Sequence, residues 1–280
     1  MDPSTALLRT ALNATAALSP RLAGRAAFAL FRRPVRRSRV RSTEQEVHRR
    51  AVTAQLAVGG RTVTVYRWGS GGRPVLLVHG WRSRASRFAP LIPGLQALGL
   101  TPVAFDAPGH GDSGGRTTTI LDYREVIGRL HDAYGPFEAV VAHSLGAVGS
   151  FLALRDGVKT ARMVTVAGAA EYGFLVQAFC EQLGLGPWAA GELERRVAEV
   201  LVGDRDRADF DATHRPDDFG FPVLAVHDQD DRTVPLGQAH LLRAAHGERV
   251  QLLTTRGLGH RRILAEPAVL DNVLGFLAAE

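Results

Sequence analysis

The nine residues VVAHSLGAV, Val140 to Val148, decide the fold of this chain. Two β-branched residues lead towards Ser144, and the stretch that follows the serine has the composition of a helix. The residues two before and two after it, Ala142 and Gly146, are small enough for a strand and a helix to approach closely at a sharp corner. A serine at such a corner exposes its hydroxyl as a nucleophile, whereas at an ordinary helix start it only caps the first turn. The rest of the chain decides between these two interpretations.

Strands and helices alternate on both sides of this corner. The segments QLAV and TVTVYRW, separated by Gly59 and Gly60, predict a β-hairpin. Six further strand candidates are short apolar runs: PVLLVH at 74–79, PVAFD at 102–106, AVVAH at 139–143, MVTVAG at 163–168, PVLAVH at 222–227 and VQLLTT at 250–255. Continuous apolar strands with room for crossover helices between them are typical of a parallel sheet that is covered on both faces. Ligands of such sheets bind at the carboxyl edge, where the loops of this chain are rich in Gly, Pro, Asp and His.

The composition is that of an ordinary globular protein, with 45% hydrophobic and 22% charged residues among 280. The formal net charge of +6 is a local feature, because residues 1–50 hold eleven Arg against three carboxylates and residues 51–280 carry a net −2. No nucleic-acid-binding body is therefore expected. Cys180 is the only cysteine, so no disulfide forms within the chain, which fits a reducing, cytoplasmic location.

A serine hydroxyl needs a neighbouring general base to act as a nucleophile at neutral pH. Downstream of the serine, the loop DQDDRTVP offers three acidic side chains, Asp228, Asp230 and Asp231. His260 lies in the Gly-flanked loop RGLGHRRIL, just before the last helical segment. Each loop taken alone has an ordinary alternative, a solvated acidic turn or a surface histidine. In this order, however, an acid and a base follow the serine.

The pentapeptide Ala-His-Ser-Leu-Gly resembles the nucleophile elbow of the α/β-hydrolase family, with Ala142 in place of the first Gly of Gly-x-Ser-x-Gly. The stretches VLLVHGW at 75–81 and DAPGHGDSGG at 106–115 are similar to two further loops of that family. The resemblance implies an α/β fold, a mostly parallel eight-stranded sheet covered by helices on both faces, with a small helical cap inserted at about 171–220. It divides the chain into an N-terminal helical segment with a basic linker, 1–50, and a hydrolase domain, 51–280.

The family resemblance also implies a catalytic triad. Ser144 corresponds to the nucleophile, and His260 stands where the family keeps its general base. In the family the acid stands four residues before a Pro, which favours Asp231 before Pro235 and leaves Asp230 as the second choice.

An oxyanion hole is implied in the same way. Its two donors are the backbone N–H groups of Trp81, after the His-Gly turn, and of Leu145, after the nucleophile.

Other histidines fit the role of base less well. His143 precedes the nucleophile and is expected to point elsewhere, while His79 and His227 end strands with other roles.

These residues together imply a serine hydrolase that acts on a carboxylic ester or thioester of a small-molecule acyl substrate through an acyl-enzyme intermediate. Acyltransferases and carbon–carbon bond hydrolases of the family use the same triad, and both stay open as alternatives. A non-catalytic binding protein on a hydrolase scaffold usually lacks a triad residue, and none is lacking here. The sequence contains no metal-ligand spacing and no dinucleotide motif, so no metal and no organic cofactor are expected.

Substrate specificity is expected to come from residues 171–220, where two helices are predicted near 173–184 and 189–202. Phe174, Phe179 and Trp188 are the candidates for lining an acyl pocket. Large apolar residues at helical spacing are more often packing residues, and this alternative stays open. A small helical cap suits modest esters, thioesters or monoacyl lipids.

Residues 1–31 predict two short helices rich in Ala and Leu, divided at Ser19 and Pro20. Arg9, Arg21 and Arg25 interrupt the apolar residues, so no stretch approaches the roughly 18 that a membrane-spanning helix needs. The basic stretch FRRPVRRSRVR, 31–41, follows as an exposed linker. Two interpretations stay open: the helices pack on the hydrolase body, or residues 1–41 make weak peripheral contact with an anionic membrane.

Overall fold

The computed structural model describes residues 3–279, and it describes side chains from residue 6 onward. Residues 1, 2 and 280, at the ends of the predicted segments, lie outside this range. The strands are β1 Val52–Val58, β2 Arg61–Arg67, β3 Pro74–Val78, β4 Thr101–Phe105, β5 Ala139–His143, β6 Met163–Val166, β7 Val223–Asp228 and β8 Val250–Thr255. They form one sheet in the order β1-β2-β4-β3-β5-β6-β7-β8. The β1–β2 hairpin and the β2–β4 pair are antiparallel, and all other pairs are parallel.

Helices cover both faces of this sheet. Within residues 3–279 they are α1 Pro3–Leu18, α2 Pro20–Phe31, α3 Gln45–Arg49, α4 Ile92–Ala97, α5 Ile120–Tyr134, α6 Leu145–Arg155, α7 Tyr172–Leu183, α8 Pro187–Val197, α9 Gly237–His246, α10 Gly259–Arg262 and α11 Pro267–Ala278. None of them is long and apolar enough to cross a membrane. The predicted fold, a mostly parallel eight-stranded sheet between helices, is confirmed.

The pleat of the strands sends alternate side chains to two separate cores. In β3, Leu76 and Val78 join the core formed with α5 and α6. Val75 and Leu77 of the same strand join the core formed with α4 and α11. All four are fully buried, which explains why the sequence shows a continuous apolar run here and no alternation.

Helices α7 and α8 form the predicted cap between β6 and β7. Helix α8 ends at Val197 and a π-helical turn, Ala198–Val202, follows, so the two together match the predicted helix 189–202. The N-terminal helix α2 packs directly on α8. A Cβ on Gly24 would lie 2.7 Å from the Cβ of Glu192, so the two helices approach too closely for any larger residue at position 24.

Helix α1 contacts the same cap through a polar side chain. The amide of Asn13 donates to the carbonyl oxygen of Gly184 at 3.0 Å and accepts from the N–H of Gly186 at 2.7 Å. These bonds hold the turn between α7 and α8. The opposite face of the N-terminal helices carries exposed apolar residues, with Leu18 90% exposed. Contact of residues 1–41 with an anionic membrane therefore stays a prediction.

The basic stretch after α2 lies against the hydrolase body. The carbonyl oxygen of Arg32 accepts from the N–H of Thr118 at 2.8 Å. The guanidinium of Arg37 donates to the carbonyl oxygens of Gly111 at 2.9 Å and Gly115 at 2.7 Å. The segment predicted as an exposed linker is thus fixed along the Gly-rich loop at 106–115.

Candidate active site

Ser144 lies at the corner between β5 and α6, in the backbone geometry of a sharp turn. Its φ is 56° and its ψ is −127°, a conformation that costs a residue with a side chain on the order of 1–3 kcal/mol. The flanking positions leave no room for larger residues, because a Cβ on Gly146 would lie 2.6 Å from the carbonyl oxygen of Val78. Ala142 is completely buried. The corner therefore depends on small neighbours, and it presents Ser144 at the carboxyl edge of the sheet.

Three side chains from three loops meet at this edge. Nε2 of His260 lies 3.0 Å from Oγ of Ser144, and Nδ1 of His260 lies 2.7 Å from Oδ2 of Asp231. When Nδ1 donates to the carboxylate, Nε2 is left to accept the hydroxyl proton of the serine. The structure thus brings together the three residues that the sequence places on separate loops.

The carboxylate of Asp231 is buried, and both of its oxygens have partners. Oδ1 accepts from the backbone N–H groups of Thr233 at 2.7 Å and Val234 at 3.0 Å, while Oδ2 faces His260. Burial alone would raise the pKa of this carboxyl. The hydrogen bond and the charge of His260, together with the two backbone N–H groups, outweigh burial and lower the pKa below its ordinary value. Asp231 is therefore ionised at neutral pH and can stabilise a positively charged imidazole.

The two other acidic candidates contact the histidine loop and not the histidine ring. Asp228 is completely buried and accepts from the hydroxyl of Thr255 at 2.7 Å and the N–H of Leu258 at 3.0 Å. Asp230 is exposed and accepts from the N–H of Gly257 at 3.0 Å. Both carboxylates join the loop after β7 to the loop after β8, so they fix the position of the backbone next to His260.

His143 packs against His260. The two ring centroids are 4.7 Å apart, and Nε2–H of His143 donates to the carbonyl oxygen of His260 at 2.9 Å. Burial, and after it the charge of His260, lowers the pKa of His143 to about 3. His143 is therefore neutral at physiological pH. Its hydrogen bond goes to the backbone of the histidine loop and not to Ser144, so it supports the loop that carries His260.

The two predicted oxyanion donors belong to residues that line the same cavity as the nucleophile. Leu145 follows Ser144 directly, and a Cβ on Gly80, the residue before Trp81, would lie 2.7 Å from the Cβ of Ser144. Among residues 3–279, neither the N–H of Trp81 nor that of Leu145 donates to a protein acceptor. Both N–H groups are thus left for a ligand oxygen.

Two buried histidines, for which the sequence suggested no part in the site, hold the loop that carries Trp81. Nε2 of His110 accepts from the N–H of Arg82 at 3.0 Å, and Nε2 of His79 accepts from the N–H of Ala107 at 2.9 Å. Burial is the largest cause that lowers the pKa of His110 to about 3 and that of His79 to about 4. Both rings stay neutral and can accept these bonds. Their common signal in the sequence is that each histidine directly precedes a glycine, as His79-Gly80 and His110-Gly111.

A cavity of about 600 Å³ opens beside the nucleophile. Ser144, Leu145 and Trp81 form part of its wall, and the α7 residues Phe174 and Phe179 form another part. Its volume lies within the range of small-molecule binding sites in proteins. The cavity is therefore the candidate acyl pocket.

The structure corrects the prediction for Trp188 and adds a residue that the sequence did not suggest. Trp188 is 75% exposed and does not line the cavity, because helix α8 buries the face that carries Ala189 and Leu193 instead. Phe31, at the end of α2, lines the cavity although it was not predicted to do so. Its ring packs edge-on against Phe179, with centroids 5.2 Å apart. The only hint in the sequence is the apolar face of α2, of which Phe31 is the last residue.

A mostly parallel sheet that presents a serine at a strand-to-helix corner, with an aspartate and a histidine after the last two strands, defines the class of α/β hydrolases. Residues 75–272 match the sequence pattern of the Alpha/beta hydrolase family, which is more than half of the chain. The protein therefore belongs to the alpha/beta hydrolase family. Among curated proteins, none is significantly similar to the chain in sequence.

Solved structures with the same fold include three that differ in source and name. Alpha/beta hydrolase domain-containing protein 10 from mouse is 19% identical at a TM-score of 0.64, with 81% of this chain and 97% of that chain covered. An esterase from Pyrococcus furiosus is 18% identical at a TM-score of 0.62, with 86% and 94% covered. A monoacylglycerol lipase from Paleococcus ferrophilus is 22% identical at a TM-score of 0.59, with 77% and 98% covered. At these identities the likeness shows the fold.

Proposed function

We propose that the protein is a serine hydrolase that cleaves carboxylic ester or thioester bonds. The observation that supports this most directly is the chain of contacts from Ser144 to His260 at 3.0 Å and from His260 to Asp231 at 2.7 Å. The serine is held there in a strained backbone conformation, which lowers the stability of the fold. Strain of this kind is concentrated at functional sites, and it supports a chemical role for the hydroxyl.

In the proposed mechanism, Nε2 of His260 takes the hydroxyl proton while Oγ of Ser144 attacks the acyl carbon. The N–H groups of Trp81 and Leu145 stabilise the oxyanion that forms. His260 then gives the proton to the leaving oxygen or sulfur, whose bond to the acyl carbon breaks, and the acyl group stays on Ser144. A water molecule that His260 deprotonates attacks the same carbon. The free acid departs and the proton returns to Oγ.

The acyl side of the substrate is proposed to occupy the cavity beside Ser144. Phenylalanine side chains from α2 and α7 line it, so an apolar acyl group gains free energy by burial there, about 0.8 kcal/mol for each CH₂ group. An esterase and a monoacylglycerol lipase share the fold, which also supports ester hydrolysis. Within the described part of the chain, residues 3–279, no feature of the site favours a non-water acyl acceptor or carbon–carbon cleavage.

A fluorophosphonate probe tests the proposal, because it reacts with activated serines. We expect the probe to label the wild-type protein and p-nitrophenyl esters to be hydrolysed, and we expect Ser144→Ala to abolish both. Ser70→Ala, at an exposed serine outside the cavity, is the matched control and should keep both. Labelling and ester hydrolysis that persist in a folded Ser144→Ala protein would overturn the assignment.

A further inference from the structure

The site has a second side that the acyl cavity does not occupy. A narrow cavity of about 90 Å³ lies against His143 and His260, and it shares Trp81 as a wall residue with the acyl cavity. Ser144 and Leu145 line the acyl cavity but not the narrow one. The two cavities therefore contact different members of the triad, one the nucleophile and the other the base.

Arginines surround the narrow cavity and its wider neighbour. Ser38 is a wall residue of both the narrow cavity and a wide one of about 860 Å³, so the two adjoin. We call this pair of cavities the basic trough. Besides two arginines in buried ion pairs, its walls contain six others: Arg36, Arg37, Arg39, Arg41, Arg82 and Arg261.

The carboxylates in the walls of the trough are already paired. Glu44 forms an ion pair with Arg87, and Asp112 forms one with Arg84 at 2.6 Å. Of the six other arginines, only Arg41 approaches a carboxylate of the trough, at 3.7 Å from Glu44. The trough therefore carries a large uncompensated positive charge right up to the triad histidine.

The segment that carries most of these arginines is held in place, so the trough exists before any ligand binds. Besides the two bonds of Arg37 to the Gly-rich loop, the guanidinium of Arg87 donates to the carbonyl oxygen of Arg39 at 2.9 Å. Fixed charges along a concave wall focus the electrostatic field and raise the local concentration of anions. A preformed site also saves the conformational entropy that a flexible linker would lose on binding.

We propose that the basic trough binds phosphate groups of the leaving group, so that the substrates are acyl esters or thioesters of a phosphorylated alcohol or thiol. This inference rests on the proposed function. In that mechanism His260 hands its proton to the leaving oxygen or sulfur, which places the leaving group on the His260 side, where the trough begins. Guanidinium groups bind phosphate through pairs of parallel hydrogen bonds, and several of them together match a polyanion.

Two matched pairs of substrates test the proposal. The first pair is an S-acyl 4′-phosphopantetheine and the S-acyl pantetheine with the same acyl chain, which differ only in the phosphate. The second pair is a monoacylglycerol phosphate and the corresponding monoacylglycerol. In at least one pair we expect kcat/KM to be roughly tenfold or more higher for the phosphorylated member, and we expect about 0.5 M NaCl to remove most of that advantage.

The pair that shows the preference identifies the source of the phosphate. A preference in the first pair alone indicates a phosphorylated thiol as the leaving group, and one in the second pair alone indicates a phosphorylated lipid headgroup. A preference in both indicates that the trough recognises phosphate as such. Equal kcat/KM values within both pairs would overturn the proposal.

Two double variants locate the effect in the protein. Arg39→Gln with Arg41→Gln removes two charges from the trough, and Arg50→Gln with Arg243→Gln removes two exposed charges elsewhere. Within residues 3–279, the side chains of Arg50 and Arg243 make no hydrogen bond or ion pair. We expect the ratio of kcat/KM for phosphorylated to neutral substrate to fall by roughly tenfold only in the trough variant.

The outcomes separate this inference from the proposed function. An equal fall of the ratio in both variants would assign the effect to net charge and overturn the trough. If neutral esters are cleaved and Ser144 is labelled but no phosphate preference exists, the trough proposal fails and the hydrolase proposal stands. If the probe does not label Ser144, both fail together.

Discussion

Replacing Asp231 by Asn should lower turnover by about four orders of magnitude, because the surroundings dictate how the new amide points. Oδ1 of Asp231 accepts from the N–H groups of Thr233 and Val234. An asparagine keeps these bonds only with its carbonyl oxygen in the same place, since an NH₂ group there would face two donors. Its NH₂ group must therefore point towards His260.

An NH₂ group in that position imposes the wrong tautomer on the imidazole. Nδ1 of His260 has to accept from it, so the ring proton moves to Nε2. Nε2 lies 3.0 Å from Oγ of Ser144 and, once protonated, cannot take the hydroxyl proton. In Ser-His-Asp enzymes an error of this kind lowers kcat by about 10⁴, which corresponds to about 5.5 kcal/mol of transition-state free energy.

Hydrolysis of a p-nitrophenyl ester at saturating concentration measures this loss. Asp230→Asn is the matched control, because it makes the same chemical change one residue earlier and its amide oxygen can still accept from the N–H of Gly257. We expect the control to keep most of the turnover. An Asp231→Asn protein that retains a tenth of the wild-type kcat refutes the tautomer reasoning. A larger loss in the Asp230 variant would move the acid by one residue.

The same variant also tests whether Asp231 is ionised in the folded protein. A carboxyl whose pKa is lowered by folding stabilises the fold above its unfolded pKa of about 3.9. That contribution is lost as the pH falls through the folded pKa. The free energy of unfolding in urea should therefore decline more steeply below about pH 4 for the wild type than for Asp231→Asn. Parallel curves would contradict the lowered pKa of Asp231.

Two further predictions concern the N-terminal helices. Phe31→Ala should lower the free energy of unfolding by about 0.5–1.5 kcal/mol for the lost ring contact with Phe179. It should also raise kcat/KM for acyl esters with bulkier chains relative to those with smaller chains. An unchanged chain-length profile in the folded variant would show that Phe31 is no wall of the pocket. If the exposed apolar face of these helices contacts membranes, the protein should co-sediment with anionic but not neutral vesicles and be released by about 0.5 M salt. Leu18→Ser with Leu22→Ser should abolish sedimentation, and failure of the wild type to sediment at low salt would end the membrane interpretation.

The central strands were predictable because burial on both faces leaves an unbroken apolar run, as in Pro74–Val78 and Ala139–His143. The strand at the edge of the sheet was harder to predict. Strand β1 begins at Val52, three residues before the predicted segment, because residues 52–54 are exposed and pair only through their backbone. The exposed end of such a strand shows no run of apolar residues in the sequence from which it could be predicted.

Within the site, the meeting of Ser144, Asp231 and His260 was predictable because the carboxyl ends of parallel strands lie at one edge of the sheet. The place of Phe31 was not predictable, because it depends on the close packing of α2 on α8, which requires the glycine at position 24. The prediction that Trp188 lines the cavity fails for a related reason. In α8 the buried face carries Ala189, Leu193 and Val197 at helical spacing, and a tryptophan one residue off that face is turned to solvent whatever its size.

The edge-on contact of Phe31 with Phe179 has a bearing on how this enzyme and its relatives diverge. Phe31 lies outside residues 75–272, the stretch in which family members are recognised. A mutation in the leading helices can therefore change the width of the cavity beside Ser144 while every motif around Ser144 stays as it is. Under the proposed function, acyl preference can change through a part of the chain that contains none of the residues around Ser144. Two proteins that descend from one ancestor can thus keep the same residues around the serine and differ in the substrates they accept.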